Sequence, residues 1–325
     1  MSEDTPSSDG TDRPATETET TETETETETE TETQLGAESA PDRNPSANPN
    51  MSTNTPTTPS TDAESKSSDA ETTQSDDVSD RPAVLEADDI DHAYGTVSVL
   101  ENVSTTVDAG AVTALIGPNG SGKTTLLRVL AGLLEPTAGS VIYRGDAAAR
   151  RIGYLPQQPA FRPGFTVLET LRFYSSLVGA DEAETDAVDR LETVGLADAA
   201  DRPVEALSGG MTRLVGIAQA TIGDPPVVVL DEPASGLDPG MSRHVFEIAS
   251  ELAAEGTAVL LSSHDLALVD RTADEVAVLD EGRIVRQGPP ATMRATLEVD
   301  SLRAVYEESV AADAGTVRVQ GVTDE

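Results

Sequence analysis

The chain has 325 residues, room for one large or two small folded units, and its 59 acidic against 21 basic residues give a formal net charge of −38 at pH 7. So acidic a surface repels nucleic acid and argues against DNA or RNA as the main partner. The absence of cysteine excludes disulfides and thiolate metal sites, and no stretch approaches the ~18 apolar residues that a membrane-crossing helix needs.

The charge is not confined to one end. Residues 1–82 hold 21 acidic and 4 basic residues, leaving 38 acidic and 17 basic beyond them. Lysine occurs only at Lys66 and Lys123, and the other basic residues are Arg. An acidic surface with Arg in place of Lys suits a salt-rich cytoplasm, where charge is screened and carboxylates hold water. The acidic start carries no apolar core of a secretory signal.

In chain order, residues 1–81 are rich in Ser, Thr, Glu, Asp and Pro, and Thr16–Thr33 is a nearly strict Thr-Glu alternation. That has the period of a strand but no apolar face to bury, and its like charges repel, so a disordered tail is expected. One folded domain is expected over 82–325. Val84–Ile90 and Ser104–Val107 read as strands, and Val112–Ile116 as a strand buried on both faces. The last runs into Gly117-Pro118-Asn119-Gly120-Ser121-Gly122-Lys123-Thr124-Thr125, which fits G-x-x-x-x-G-K-[ST], and a helical run, Thr124–Ala131, follows.

Chemistry demands these residue types between a strand and a helix. Glycines let backbone N–H groups curl round phosphate oxygens, and the helix turns its unpaired donors toward the same anion. Lys123 can reach the β and γ phosphates, and the Thr124 hydroxyl can bind Mg²⁺.

Ser140–Tyr143 and Ile152–Leu155 read as further strands. From about 161 to 220 the pattern is helical, over Val167–Val178, Ala183–Val194 and Gly210–Thr221. Strands return at Val227–Leu230, Ala258–Leu261, Val276–Leu279 and Ile284–Arg286. Between them lies the helix Pro239–Glu255, with Asp238 as N-cap and Pro239 at its first position. A last helix covers about Ser301–Ala312. The sum is an α/β core interrupted by a helical insert.

Val227–Leu230 delivers Asp231 and Glu232 at its C-terminal end, where open α/β sheets place ligands. Asp231 is suited to hold Mg²⁺ through water, and Glu232 to polarise an attacking water. Leu207-Ser208-Gly209-Gly210 opens a helix and makes a second anion site of the same kind as the first. One chain has no obvious use for two such sites, whereas two copies facing each other do.

Taken together, these motifs resemble the ATP-binding subunit of an ABC transporter over about residues 83–290. Gly117–Thr125 is similar to that family's Walker A loop, Val227–Glu232 to Walker B with its catalytic Glu, and Leu207–Gly210 to its signature. Tyr94 matches the aromatic that stacks on adenine. Gln157, in Gly153-Tyr154-Leu155-Pro156-Gln157, matches the Q-loop ligand of Mg²⁺ and water. Ser235-Gly236-Leu237-Asp238 matches the D-loop, and His264 the switch histidine at the γ-phosphate. The resemblance implies a P-loop NTPase core with a mixed sheet, an antiparallel β subdomain and a helical signature subdomain. It implies ATP and Mg²⁺ as ligands, and ATP-driven pairing with a second copy or a paralogous ATPase chain. It further implies an integral-membrane permease as partner and a peripheral place on the cytoplasmic face of the cell membrane. Met211 stands where many members carry Gln, and the chain after residue 290 is too short for the regulatory domain of some sugar importers. With the Phe165-Thr166-Val167-Leu168-Glu169-Thr170 stretch, Met211 resembles the ABC-2-type exporters, and the acidic composition resembles proteins of halophilic organisms. A soluble assembly ATPase of the same family, without a transport partner, is the alternative reading.

Overall fold

A computed structural model describes residues 81–179 and 182–314; the N-terminal tail expected to be disordered lies, but for Arg81, outside the described residues. The chain opens with two long antiparallel strands, β1 (Ala83–Tyr94) and β2 (Val97–Asp108), followed by the short buried β3 (Val112–Ile116) and helix α1 (Lys123–Leu130). Two further strands follow, β4 (Ala138–Tyr143) and β5 (Ile152–Leu155). Three helices then form the insert: α2 (Val167–Val178), α3 (Ala183–Thr193) and α4 (Gly209–Thr221). The chain returns through β6 (Val227–Leu230), α5 (Pro239–Ala254), β7 (Ala258–Ser262) and α6 (Leu266–Thr272). It ends on the hairpin β8 (Glu275–Asp280) and β9 (Arg283–Gly288), then α7 (Pro290–Leu297) and α8 (Leu302–Ala314).

Two sheets result. A three-stranded antiparallel sheet runs β2-β1-β4, and a six-stranded mixed sheet runs β5-β6-β7-β3-β8-β9, parallel except for β9. Both faces of the larger sheet are covered, which is why β3 and β6 are apolar at almost every position. Val112, Ala114 and Ile116 of β3, with Val228 and Leu230 of β6, face one core, shared with the helical insert, α5 and the C-terminal helices. Leu115, Val227, Val229 and Leu260 face the other, where α1 contributes Leu126, Leu127 and Leu130 and the antiparallel sheet contributes Leu85, Ile90 and Leu100.

Capping chemistry sets the helix starts. The Thr166 hydroxyl accepts from Glu169 N while the Glu169 carboxylate accepts from Thr166 N, a reciprocal box worth about 1 kcal/mol. Asp238 accepts from Gly240 N and Met241 N at the start of α5. Ser208 accepts from Met211 N at the start of α4.

Four differences from the sequence reading are informative. Strands β1 and β2 are each twelve residues, well beyond Val84–Ile90 and Ser104–Val107. In β1 the pairing shifts around Asp88 and Asp89, and Asp89 sits at φ 49°, so the alternation on which the reading relied is broken by a bulge. Helix α6 and helix α7 were not anticipated: with 7 and 8 residues they are too short to show a helical period.

Candidate functional site

The sheet order decides what meets what. Strands β5, β6, β7 and β3 lie side by side and parallel, with Leu155 opposite Leu230, Leu230 opposite Leu261, and Leu115 opposite Ser262. Their C-terminal ends therefore share one edge. Gln157, Asp231, His264 and the 117–125 loop all leave the sheet there, although 147 residues of sequence separate Gly117 from His264.

The loop is built around two glycines. A Cβ on Gly117 would sit 2.1 Å from the Leu279 carbonyl oxygen, inside any tolerable contact. Gly122 takes φ 104°, a left-handed conformation that turns the chain into α1, which starts without a side-chain cap. The first N–H groups of α1 are thereby left to a ligand. Gly117→Ala is expected to lower stability by about 1–3 kcal/mol and to weaken ATP binding; a denaturant midpoint equal to that of the parent would show that the loop has slack.

Lys123 is buried, and its ammonium donates to the carbonyls of Gly117 and Pro118 at 2.9 Å each. That leaves its third N–H for an anion. Burial pulls the Lys123 pKa below the usual lysine range, against the opposing pull of the Glu232 and Asp231 carboxylates. Beneath it, Asp231 Oδ1 accepts from the Thr124 hydroxyl at 3.2 Å and the Ser262 hydroxyl at 2.9 Å. Asp231 Oδ2 is buried and has no hydrogen-bond partner among the described residues.

Glu232 is almost fully buried and sits at φ 51°, a conformation that few side chains of its kind adopt. Its backbone is held there by Glu232 N donating to Ser262 Oγ at 2.8 Å. His264 Nε2 lies 2.7 Å from Glu232 Oε1. Burial pushes the Glu232 pKa above the usual carboxylate range, and His264 and Lys123 pull it back.

A cleft of about 320 Å³ runs between these groups. It is lined by Tyr94, by Asn119, Gly120 and Gly122 through Thr125 of the loop, and by Gln157, Glu232 and His264. Gly117, Pro118 and Ser121 complete the loop behind this lining. Tyr94 is half-exposed, with its ring edge-on to His92 at 4.7 Å. The backbone carbonyl of exposed Gln157 accepts from the Arg213 guanidinium of α4.

Four of the residues singled out from sequence stay away from this cleft. Ser208, Gly209 and Gly210 lie at the start of α4, and Asp238 at the start of α5, and none of them lines it. Ser208 and Gly209 are exposed, and a Cβ on Gly209 would meet nothing within 4 Å. Gly210 sits against Met241, so the two helix starts are neighbours. A larger groove, of about 710 Å³, opens on the far side of Glu232 and His264 and is walled by Ala234 to Leu237 and α6.

Sequence reasoning gave no role to Ser262, which ties Asp231 to the Glu232 backbone, or to Arg213, which anchors Gln157. A serine ending an otherwise apolar strand was the available signal for the first; nothing local marks the second.

A strand–glycine loop–helix unit, joined by a buried carboxylate pair at the end of a parallel strand one place removed in the same sheet, defines a nucleotide-hydrolysing protein of the phosphate-loop class. Comparison with known proteins narrows this. The family model described as "ABC transporter" matches residues 100–235. The Nod factor export ATP-binding protein I of Ralstonia nicotianae is 38% identical over 216 residues, covering 64% of this chain and 67% of that protein. The lantibiotic transport ATP-binding protein SrtF of Streptococcus pyogenes is 34% identical over 206 residues, covering 62% of this chain and 89% of that one. Among solved structures, an ATP-binding subunit of an ABC transporter matches at 32% identity with a TM-score of 0.63, over 70% of this chain and 99% of that chain. The cassette MJ0796, solved as a dimer in a post-hydrolysis state with ADP and Pi, matches at 25% identity and a TM-score of 0.57, over 63% of this chain and 98% of that chain. The chain belongs to the family of ABC transporter ATP-binding subunits, and it is an ATPase that binds ATP. Among the described residues no helix is long and apolar enough to cross a membrane.

Proposed function

We propose that this chain powers an ABC-2-type exporter, hydrolysing ATP between two copies, or between itself and a paralogous ATPase chain. The observation that carries the reading is the convergence of Lys123, Thr124, Glu232 and His264 on one cleft, with Asp231 bonded to Thr124 behind it, while the second anion-binding helix start, Ser208-Gly209-Gly210, does not line that cleft. Each chain then offers half a site, and the exposed signature of a second copy supplies the rest. The dimeric form of MJ0796 supports this pairing, and the export and transport names of the relatives support the direction.

In the closed site, the 117–125 loop wraps the phosphates and Tyr94 stacks on the adenine. Asp231, Thr124 and Gln157 present oxygen donors of the kind Mg²⁺ prefers, and the unpartnered Asp231 Oδ2 fits that use. When bound, Mg²⁺ neutralises charge on the β and γ phosphates. Glu232 holds and deprotonates the attacking water. Lys123 stabilises charge on the transferring phosphoryl group, and His264 positions Glu232 and the γ-phosphate. Asp238 fixes the D-loop between the two copies. Closing excludes water and depends on ATP binding the closed dimer better than the open one.

A permease chain supplies the membrane span, with this subunit peripheral on the cytoplasmic face. The exposed Phe173 and Leu177 of the insert are an apolar surface suited to it, and co-purification with a polytopic membrane protein separates this reading from a soluble assembly ATPase.

Gly209→Asp tests the two-copy site. Open space at this position lets the carboxylate in without disturbing the fold, but its charge meets the phosphates of the opposing copy. ATP binding by the single chain should persist while ATP-dependent dimerisation, followed by light scattering, and hydrolysis are lost. Hydrolysis at the parental rate would sink the shared-site reading.

A further inference from the structure

Against Tyr94, which lines the cleft, packs a buried histidine that the mechanism above does not use. His92 precedes Tyr94 by two residues on β1 and is only 7% exposed. Its Nδ1 lies 3.1 Å from the Glu135 carbonyl oxygen, and since a carbonyl only accepts, Nδ1 carries the proton. Its Nε2 is buried without a hydrogen-bond partner among the described residues. The imidazole meets the Tyr94 ring edge-on, with centroids 4.7 Å apart and planes at 79°.

The backbone around it is shaped for this contact. The β1–β2 register shifts between Ile90 and His92 and again between His92 and Ala93, so the imidazole is turned inward next to a half-exposed tyrosine. The same strand end is fastened to the turn that follows α1. Thr137 N donates to the Asp91 carbonyl at 2.7 Å, and Ala93 N donates to Thr137 Oγ1 at 3.2 Å. With the His92–Glu135 bond, three hydrogen bonds connect the Tyr94 end of β1 to the segment just beyond the helix whose start forms the phosphate loop.

We propose that His92 is a positioning residue for the nucleotide base: its anchored ring holds Tyr94 in the stacking orientation and keeps that platform in register with the phosphate loop. The proposal rests on Tyr94 being the base-stacking side chain. An exposed tyrosine free to change rotamer must be ordered when a base stacks on it, and a rigid edge-on neighbour removes most of that cost before ligand arrives. The effect is confined to the base and does not extend to the phosphates.

The test compares ATP with inorganic tripolyphosphate, which has the phosphates but no base, by calorimetric titration of the full chain. His92→Ala should weaken ATP binding about three- to tenfold, the cost of ordering one side chain on binding. Tripolyphosphate affinity should not change, and KM for ATP should rise with kcat at saturating ATP unchanged. His92→Phe keeps an aromatic edge but loses the bond to Glu135, and should recover part of the lost ATP affinity, falling between the parent and the Ala variant. Unchanged ATP affinity in His92→Ala overturns the proposal. So does a parallel loss of tripolyphosphate affinity, which marks a merely structural histidine, and so does a Phe variant as weak as the Ala variant. Tyr94→Ala, measured alongside, isolates the premise: if it leaves ATP affinity intact, the stacking role itself is wrong.

Discussion

Replacing Glu232 with Gln is expected to slow ATP hydrolysis by about 10²–10⁴-fold, the range that a positioned general base contributes, while ATP remains bound and the closed dimer accumulates. The change is nearly isosteric and keeps an oxygen to accept from His264 Nε2, which lies 2.7 Å from the native carboxylate. Backbone geometry should survive, because φ 51° at this position is held by the Ser262 hydroxyl on Glu232 N and not by the carboxylate. What disappears is the capacity to take a proton from water. Burial raises the Glu232 pKa, and the deprotonated form is the active one, so parental hydrolysis should fall as pH drops through a value above the usual carboxylate range. Single-turnover hydrolysis and size-exclusion chromatography with ATP measure both halves of the result. A variant that turns over at the parental rate would remove Glu232 from the chemistry.

The second large effect is expected from Lys123→Ala. Charge-assisted hydrogen bonds to phosphate are worth about 1.5–3 kcal/mol, so ATP should bind about 10- to 100-fold more weakly. The fold should respond less. The variant loses two hydrogen bonds, to the Gly117 and Pro118 carbonyls, but it also removes an ammonium whose burial is unfavourable enough to depress its pKa. Thermal unfolding without nucleotide should therefore shift by a few degrees, while the stabilisation that ATP confers on the parent largely vanishes. Equal ATP affinity in the two proteins would contradict the assignment of Lys123 to the phosphates.

Much of the site could be read before any coordinates, for a physical reason. A phosphate loop needs glycines at fixed intervals, a lysine and a hydroxyl in a contiguous run, and Gly117–Thr125 supplies them within nine residues. The buried parallel strands were equally plain. Val112–Ile116 and Val227–Leu230 are apolar at every position but Thr113 because each of their faces meets a separate core, and their observed limits match the reading residue for residue. Where one face meets solvent the signal weakened, and the bulged β1 ran four residues past its expected end.

Chain order and residue type were thus enough to point to a nucleotide-hydrolysing subunit with a glycine-rich loop before a helix and a carboxylate pair at a strand end, since each of these is written in a short local run. The fold alone settled which of those runs meet. The order β5-β6-β7-β3 gathers Gln157, Asp231, His264 and Lys123 at one sheet edge, and leaves Ser208 and Gly209 exposed at a helix start outside the cleft. Strand order is a property of long-range pairing, as is the bond that carries Ser262 to Asp231 across 31 residues. No local spacing encodes either, because what selects them is the burial of both sheet faces at once.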